Sequence, residues 1–503
     1  MKSIFKAVAT VTIFSILTRL LGFLFRIFIS RKLGAEGLGL FQMSSSVLGI
    51  FMTLISSGIP LTTAKLVSKY ESNNELIKRN KCISSALIIA CVVALISSLV
   101  IFILKSVWGI ILTDNRAGEL LLIMIPSILC SAAYAVFRGA LWGQSDYFNV
   151  GLTELIEQIL RFAITAIMLY NITDYFIAAK YSAIAFNLTC LLSALITMFI
   201  YLKRGQFDFK RGEYVNVMRS AAPITGVRLA SSIAQPLTSI LIPTMLIVAG
   251  YSNSQAGASF GVVMGMTFPM LFVPMAIIGS ISMVLIPSIS SMMSKNQYDE
   301  ISNNISQAIN VSIFISLLFV PLYLSVGDLI GIVLYDNVMS GVLLQISAIC
   351  VLPITLCNLT GSILNALNLE VKSFVNYLIG SGVLFVSLII FTPLIAINAV
   401  VVSFGLSMST ISVLNLRKIK KAVPHTSFNI ITSIYKYILI ILPCSLLGHF
   451  ASNIAQHFFS YFFSAVIGGG LAIVADLACI YLFKIFDLKD IIHLIYRKKH
   501  KKT

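Results

Sequence analysis

Apolar residues along the chain gather into long blocks separated by short polar runs. The blocks cover approximately 7–30, 38–66, 82–104, 118–142, 152–171, 176–202, 218–250, 259–289, 304–326, 341–365, 372–392, 394–416, 430–450 and 460–484. A helix of about 20 residues crosses a hydrocarbon core about 30 Å thick, so each block predicts one span. An outer-membrane barrel would instead show alternating stretches of roughly 10 residues, and the chain has none. The expected fold is therefore an all-α integral membrane protein with fourteen transmembrane helices. The residues left over suffice only for loops and tails, so no extramembrane domain is expected.

A weak internal repeat divides the pattern. Span 1 carries Arg19 and leads into GAEGLG (Gly34 to Gly39) and a long span ending in SGIPLTTAKLVSKY. Span 7 carries Arg228 and leads into QAGASFG (Gln255 to Gly261) and a long span ending in IPSISSMMSK. The expected organisation is two six-helix halves, 1–202 and 203–417, with two further helices and a basic tail in 418–503. Duplicated halves are a common build for transporters, whose substrate site lies where the repeats meet.

Composition agrees with the block pattern. Of 503 residues, 58% are hydrophobic and 11% charged, against about 25% charged in soluble domains. The net charge of +17 sits in short runs between apolar blocks, which fits topogenic loops and anionic lipid better than nucleic acid. On a fourteen-span topology the termini and even-numbered loops hold twenty-five of the 36 Lys and Arg residues, and the odd-numbered loops hold five. The bias places both termini in the cytoplasm, with the basic tail from Arg497 to Lys502 inside. Lys2 and Lys6 before an apolar run give the outline of a signal peptide. There is no small-residue cleavage site, and Arg19 and Arg26 interrupt the run, so it is read as a retained first span.

Ionisable groups inside a bilayer are costly, and their placement is informative. Arg19 and Arg26 are seven residues apart, on one helix face and about 10 Å apart along the axis. A shared polar cavity satisfies both, while snorkelling to the interface would also satisfy Arg26. Arg228 has no neighbouring charge in its span, which calls for water, a partner helix or an anionic ligand. Glu154, Glu157 and Arg161 share a face of span 5 in TELIEQILRF, with Gln158 between them. Glu157 and Arg161 form a favourable i,i+4 pair, and Arg138 of span 4 can complete the network. Such a network either serves the substrate or only orders the bundle. Asp476 is isolated in span 14. Prolines 60, 126, 223, 236, 243, 269, 274, 287, 321 and 353 break several spans, either as packing kinks or as bends used in transport.

Enzyme classes find little support. The five histidines show no HExxH spacing, and there is no P-loop and no Gly-rich nucleotide turn. The eight cysteines are scattered through apolar blocks without a CxxC, so neither a disulfide framework nor a metal site is expected. No cofactor is implied.

The stretch TRLLGFLFRIFISRKLGAEGLGLFQM (Thr18 to Met43) resembles the opening signature of the stage V sporulation protein B group. That group lies in the polysaccharide-transporter branch of the multidrug/oligosaccharidyl-lipid/polysaccharide flippase superfamily. SGIPLTTAKLVSKY, FRGALWGQ followed by TELIEQILRF, and LCNLTGSILNALNLEVKSFVNYLIG carry the resemblance through the chain in order. One departure stands in span 4, where the family often has Tyr-x-Gln-Gly after Arg-Gly and this chain reads Ala140, Leu141, Trp142, Gly143, Gln144. The resemblance implies two six-helix bundles in a V plus two helices. It also implies flipping of a lipid-linked glycan precursor for peptidoglycan or spore cortex. Arg19, Arg26, Glu157, Gln158, Arg161 and Arg228 correspond to polar positions of its pattern.

The function these readings favour is a lipid-linked oligosaccharide flippase working by alternating access. Arg19, Arg26 and Arg228 line its substrate cavity, and Arg138, Glu154, Glu157, Gln158 and Arg161 form its polar network. A guanidinium fork binds phosphate oxygens with two donors, which suits a diphosphate-linked headgroup. H+ or Na+ is compatible as a coupling ion. The rival is a drug or cation antiporter of the same fold, which would rely on Glu154 and Glu157.

Overall fold

The computed structural model describes residues 2–203, 208–210, 212–293, 295, 297–424 and 430–483. Arg204, Arg211 and the basic tail lie outside the described residues. Every regular element within them is helical. Twelve helical runs are long and apolar enough to cross a membrane, and the chain is an integral membrane protein.

The difference from fourteen blocks has two physical causes. The first run spans Thr10–Ser72 and is 63 residues long, because the chain stays helical on both sides of Gly34. That residue alone takes φ 60° and ψ −173°, a conformation that a residue with a side chain rarely adopts. The blocks 7–30 and 38–66 therefore meet at one glycine rather than at a loop. The second cause is the helix over Tyr147–Met168, which is 22 residues long. It has spanning length but carries Glu154, Glu157 and Arg161.

The chain divides into two compact units. The first contains α1 (Lys2–Ser56), α2 (Gly58–Ser72), α3 (Leu76–Ile103), α4 (Lys105–Ile111), α5 (Asn115–Ile123), α6 (Ile125–Gly143), α7 (Tyr147–Met168), α8 (Tyr175–Leu202), α9 (Tyr214–Ser232), α10 (Ala234–Val248) and α11 (Asn253–Phe260). Polar caps start several of them. Asp174 accepts from the Ile177 amide at 2.8 Å, and Ser252 and Gln255 form a capping box at α11, satisfying amides that the first turn leaves unpaired. α1 packs on α7 and α8, and α6 on α2, α3 and α8. α9, although it follows residue 203, packs on α1, α2 and α3. Small residues allow the close approaches, as where Gly58 meets Thr225 and Gly139 meets the Pro60 backbone.

The π-helical segment Gly261–Thr267 leads into the second unit, which takes in its residues from Val262 on. It contains α12 (Phe268–Leu271), α13 (Val273–Met293), α14 (Tyr298–Tyr335), α15 (Val338–Ser347), α16 (Val351–Ala366), α17 (Glu370–Ile395), α18 (Asn398–Ala422), α19 (Ile430–Gln456) and α20 (Tyr461–Leu482). Its core gathers Ile305, Ile309, Ile313, Leu317, Leu359 and Ile363. A buried chain of amides ties three helices together: Asn376 donates to Asn415 at 2.9 Å, and Asn415 donates to Thr360 at 3.1 Å. α19 and α20 pair with each other and with α14, and Gly448 and Gly468 let their backbones come together.

Prolines divide by position. Pro60, Pro126, Pro236, Pro269, Pro274 and Pro353 fall in the first turn of a helix, where the missing amide costs nothing. Pro223, Pro243, Pro287 and Pro321 lie inside helices. α14 leaves helical geometry at Val326, between Ser325 and Gly327, a Gly/Ser site of the kind at which helices kink, while Pro321 removes the amide that would bond back to Leu317.

Candidate functional site

All eight sequence-derived site residues fall in the first unit. The first half of α1 runs alongside α7 in the same direction. Phe14 packs on Gly151 and Phe148, Gly22 faces Gln158, and Phe25 and Phe28 pack on Phe162. Arg19 and Arg26 stand about 40–60° round the helix from Gly22, at 100° per residue. They therefore flank the contact with α7, and both side chains are exposed. At the level of Arg19, the facing turn of α7 carries Glu154.

The acids of α7 are both occupied. Glu154 forms an ion pair with Arg138 of α6, and Glu157 pairs with Arg161 one turn on. Arg138 stacks on Tyr134 with its guanidinium carbon 6.0 Å from the ring centre, and Arg161 stacks on Phe186 at 5.6 Å. The pairs are partly buried, and each arginine keeps a buried Nε donor without a partner. Gln158 belongs to the α1–α7 contact rather than to these pairs.

Arg228 sits on α9 one turn past Thr225, which touches Gly58, and on the same face as buried Ala221. Its side chain is exposed. Ser239 of α10 bonds Ser46 of α1 at 2.8 Å, so α9 and α10 run antiparallel to the second half of α1. Counted at 1.5 Å per residue from Gly34 or Val248, Arg26 lies about 12 Å, Arg19 about 22 Å and Arg228 about 30 Å from that end. Neither Arg19 nor Arg228 has an ion pair among the described residues. The unit thus holds neutralised acids, with Arg19 and Arg228 at different depths and without an ion pair among the described residues.

The end marked by Gly34 holds a second cluster that sequence reasoning missed. Glu36 pairs with Arg116 at 2.8 Å and accepts from Ser254 of α11 at 2.7 Å. Arg116 also pairs with Asp114 at 2.9 Å. Its hydrogen bonds to Asp114 and Glu36 raise its pKa further, outweighing the opposing effect of burial. Lys180 pairs with Glu119 at 2.6 Å and sits 4.5 Å over Phe176. Beside them the two glycine motifs meet directly: Gly39 packs on Gly257, and Gly261 comes against Ala35 and Gly39. The repeated motifs were the available signal, since a glycine at matching places in both halves points to close backbone approach. Arg116 and Lys180 are two of the five basic residues counted in the odd-numbered loops.

Comparison with known proteins places this geometry. The family described as polysaccharide biosynthesis protein matches residues 4–293. Stage V sporulation protein B of Bacillus subtilis (strain 168) is 26% identical over 458 residues, covering 88% of this chain and 87% of that one. Lipid II flippase MurJ of the same organism is 20% identical over 422 residues, covering 76% of each. Among solved structures, lipid II flippase MurJ in an inward closed conformation aligns with TM-score 0.69 at 15% identity, over 96% of this chain and 99% of that one. An inward-facing multidrug resistance MATE family transporter of the MOP superfamily aligns with TM-score 0.67 at 14% identity, over 82% and 96%. Those structures share the fold, and the sequence match covers more than half of the chain. The chain is a member of the polysaccharide biosynthesis protein family.

Proposed function

We propose that this chain flips a lipid-linked glycan precursor, for peptidoglycan or spore cortex, across the bacterial cytoplasmic membrane by alternating access. A diphosphate-linked sugar cannot cross hydrocarbon unassisted, because polar groups there must be satisfied by protein or water. In this reading Arg19, Arg26 and Arg228 receive the diphosphate in a central cavity, while the lipid tail stays in the bilayer. Fourteen spans in two six-helix bundles, split at 202 and 417 with 418–503 appended, and two cytoplasmic termini complete the proposal. The Gly34 end then faces outward.

The observation that carries it is the distribution of charge in the first unit. Glu154 and Glu157 are each neutralised by an arginine, while Arg19 and Arg228 are exposed without an acidic partner. Arginines in that state at membrane depth attract an anion. A cation antiporter would need a free acid there, and both acids are engaged. The relatives named as lipid II flippase and sporulation protein support the substrate class.

The test is transport by the full chain in proteoliposomes. A short-chain lipid-linked disaccharide diphosphate should be translocated, and a cationic dye should not. Dye extrusion without precursor flipping would overturn the proposal.

A further inference from the structure

Asp476 lies in α20, outside the polar network described above. It is fully buried, and neither carboxyl oxygen has a hydrogen-bond partner. No Lys, Arg or His among the described residues pairs with it. A lone carboxylate sealed from water and from counter-charge is among the most costly groups a protein can hold, whereas the neutral acid is tolerated.

The groups that reach the carboxyl are Tyr437 and Cys444 of α19. On α20 itself the next titratable side chain is Cys479, whose Sγ lies 3.9 Å from that of Cys444. α14, the other helix packed here, has no titratable residue between Glu300 and Tyr323. The Tyr437 hydroxyl is the decisive neighbour. It donates its only proton to the Leu317 carbonyl of α14. That carbonyl is free to accept because the residue four positions on is Pro321, which has no amide to bond back to it. The Tyr437 oxygen therefore offers Asp476 lone pairs alone. Such lone pairs disfavour a carboxylate and can accept from a carboxylic acid.

We propose that Asp476 is an exchangeable proton site, loaded while α19 and α20 are closed on the broken turn of α14 and emptied when they part. In this proposal the O–H of the protonated acid turns toward the Tyr437 oxygen, which donates to Leu317, so that one proton would complete a chain linking three helices. Losing it sets a carboxylate against the lone pairs of Tyr437 and drives the hairpin from α14. The packing around it is close: Gly448 lies against Ala472 and Ser325, and Gly468 against Ser452 and Val326. The ligand is a proton, and the site is independent of which substrate the first unit binds.

Infrared spectroscopy of the full chain in lipid nanodiscs tests this without substrate. At neutral pH the wild type should show a protonated-carboxyl stretch that shifts in heavy water and is lost in Asp476→Asn. The band should disappear reversibly on raising the pH while the helical circular dichroism is unchanged. Tyr437→Phe, which removes the acceptor, should move the band to higher frequency. If Asp476→Asn does not accumulate, aspartate-selective carbon-13 labelling of the wild type reads the same band. A carboxylate in place of the acid at neutral pH would overturn the proposal. So would a neutral band that neither exchanges nor titrates in the folded protein, since that would be a sealed structural acid.

Discussion

Gly39 of α1 packs so tightly on the backbone of Gly257 of α11 that a Cβ on Gly39 would overlap the Gly257 carbonyl oxygen. The neighbouring Glu36 holds Ser254 of the same helix. Gly39→Val should therefore force α1 and α11 apart, and overpacking of this kind costs about 1–3 kcal/mol. Thermal unfolding in detergent should show a lowered midpoint, and a cysteine placed at Ser254 should label faster. Gly226→Ala is the control, because a Cβ there meets nothing within 4 Å. Equal midpoints for the two variants would remove this contact from the account.

Arg79 is fully buried although it is charged. It donates to Glu71 at 2.9 Å and to Asn80 at 3.2 and 3.3 Å. Breaking a buried pair by removing one partner costs about 3–5 kcal/mol because a bare charge is left behind. Glu71 is 37% exposed, so it reaches water, and Arg79→Ala should sit at about 3 kcal/mol, the low end. Arg79→Met keeps the apolar stem and should lose less. Unfolding midpoints in detergent would rank them, and an alanine variant as stable as wild type contradicts the burial argument.

These residues show what the sequence could reveal. The all-helical membrane class and the two charged helices were legible because hydrocarbon thickness and helix pitch are fixed quantities. The pairing of Glu157 with Arg161 is local, and the i,i+4 rule expresses it. The pair from Arg138 to Glu154 joins two helices, so sequence could nominate its members but not their contact. Glu36, Arg116 and Ser254 come together from three distant segments, and nothing in their spacing announces it. Gly34 falls in the gap between the blocks 7–30 and 38–66, whereas here one residue turns the chain and the helix resumes. Asp476 looked merely isolated. Its significance depends on Tyr437 and Pro321, which are remote in sequence.

Arg138 and Glu154 offer a test of whether the network is a matched pair. Arg138→Ala leaves Glu154 without its counter-charge at membrane depth, and Glu154→Ala does the same to Arg138. Each should lower stability more than the double variant does, since the double variant leaves neither charge behind. A double-mutant cycle on unfolding midpoints should return a coupling of about 0.5–3 kcal/mol. Simple additivity would show the two side chains to be energetically independent.

The arginines and glutamates then separate the two transport readings. If Arg19 and Arg228 hold a diphosphate, Arg19→Ala and Arg228→Ala should abolish precursor flipping at normal protein level. Each lost charge-assisted contact removes about 1.5–3 kcal/mol of headgroup binding, an affinity loss of roughly tenfold to a hundredfold. Lysine at either position should restore only part of the rate, because an ammonium keeps the charge and loses the two-pronged fork. Glu157→Gln should act mainly through the unbalanced Arg161 and leave headgroup affinity close to wild type. A cation antiporter predicts the reverse order, with glutamate changes fatal and arginine changes mild. Measured with precursor and dye side by side in proteoliposomes, normal flipping by both arginine-to-alanine variants would rule out diphosphate capture by these side chains.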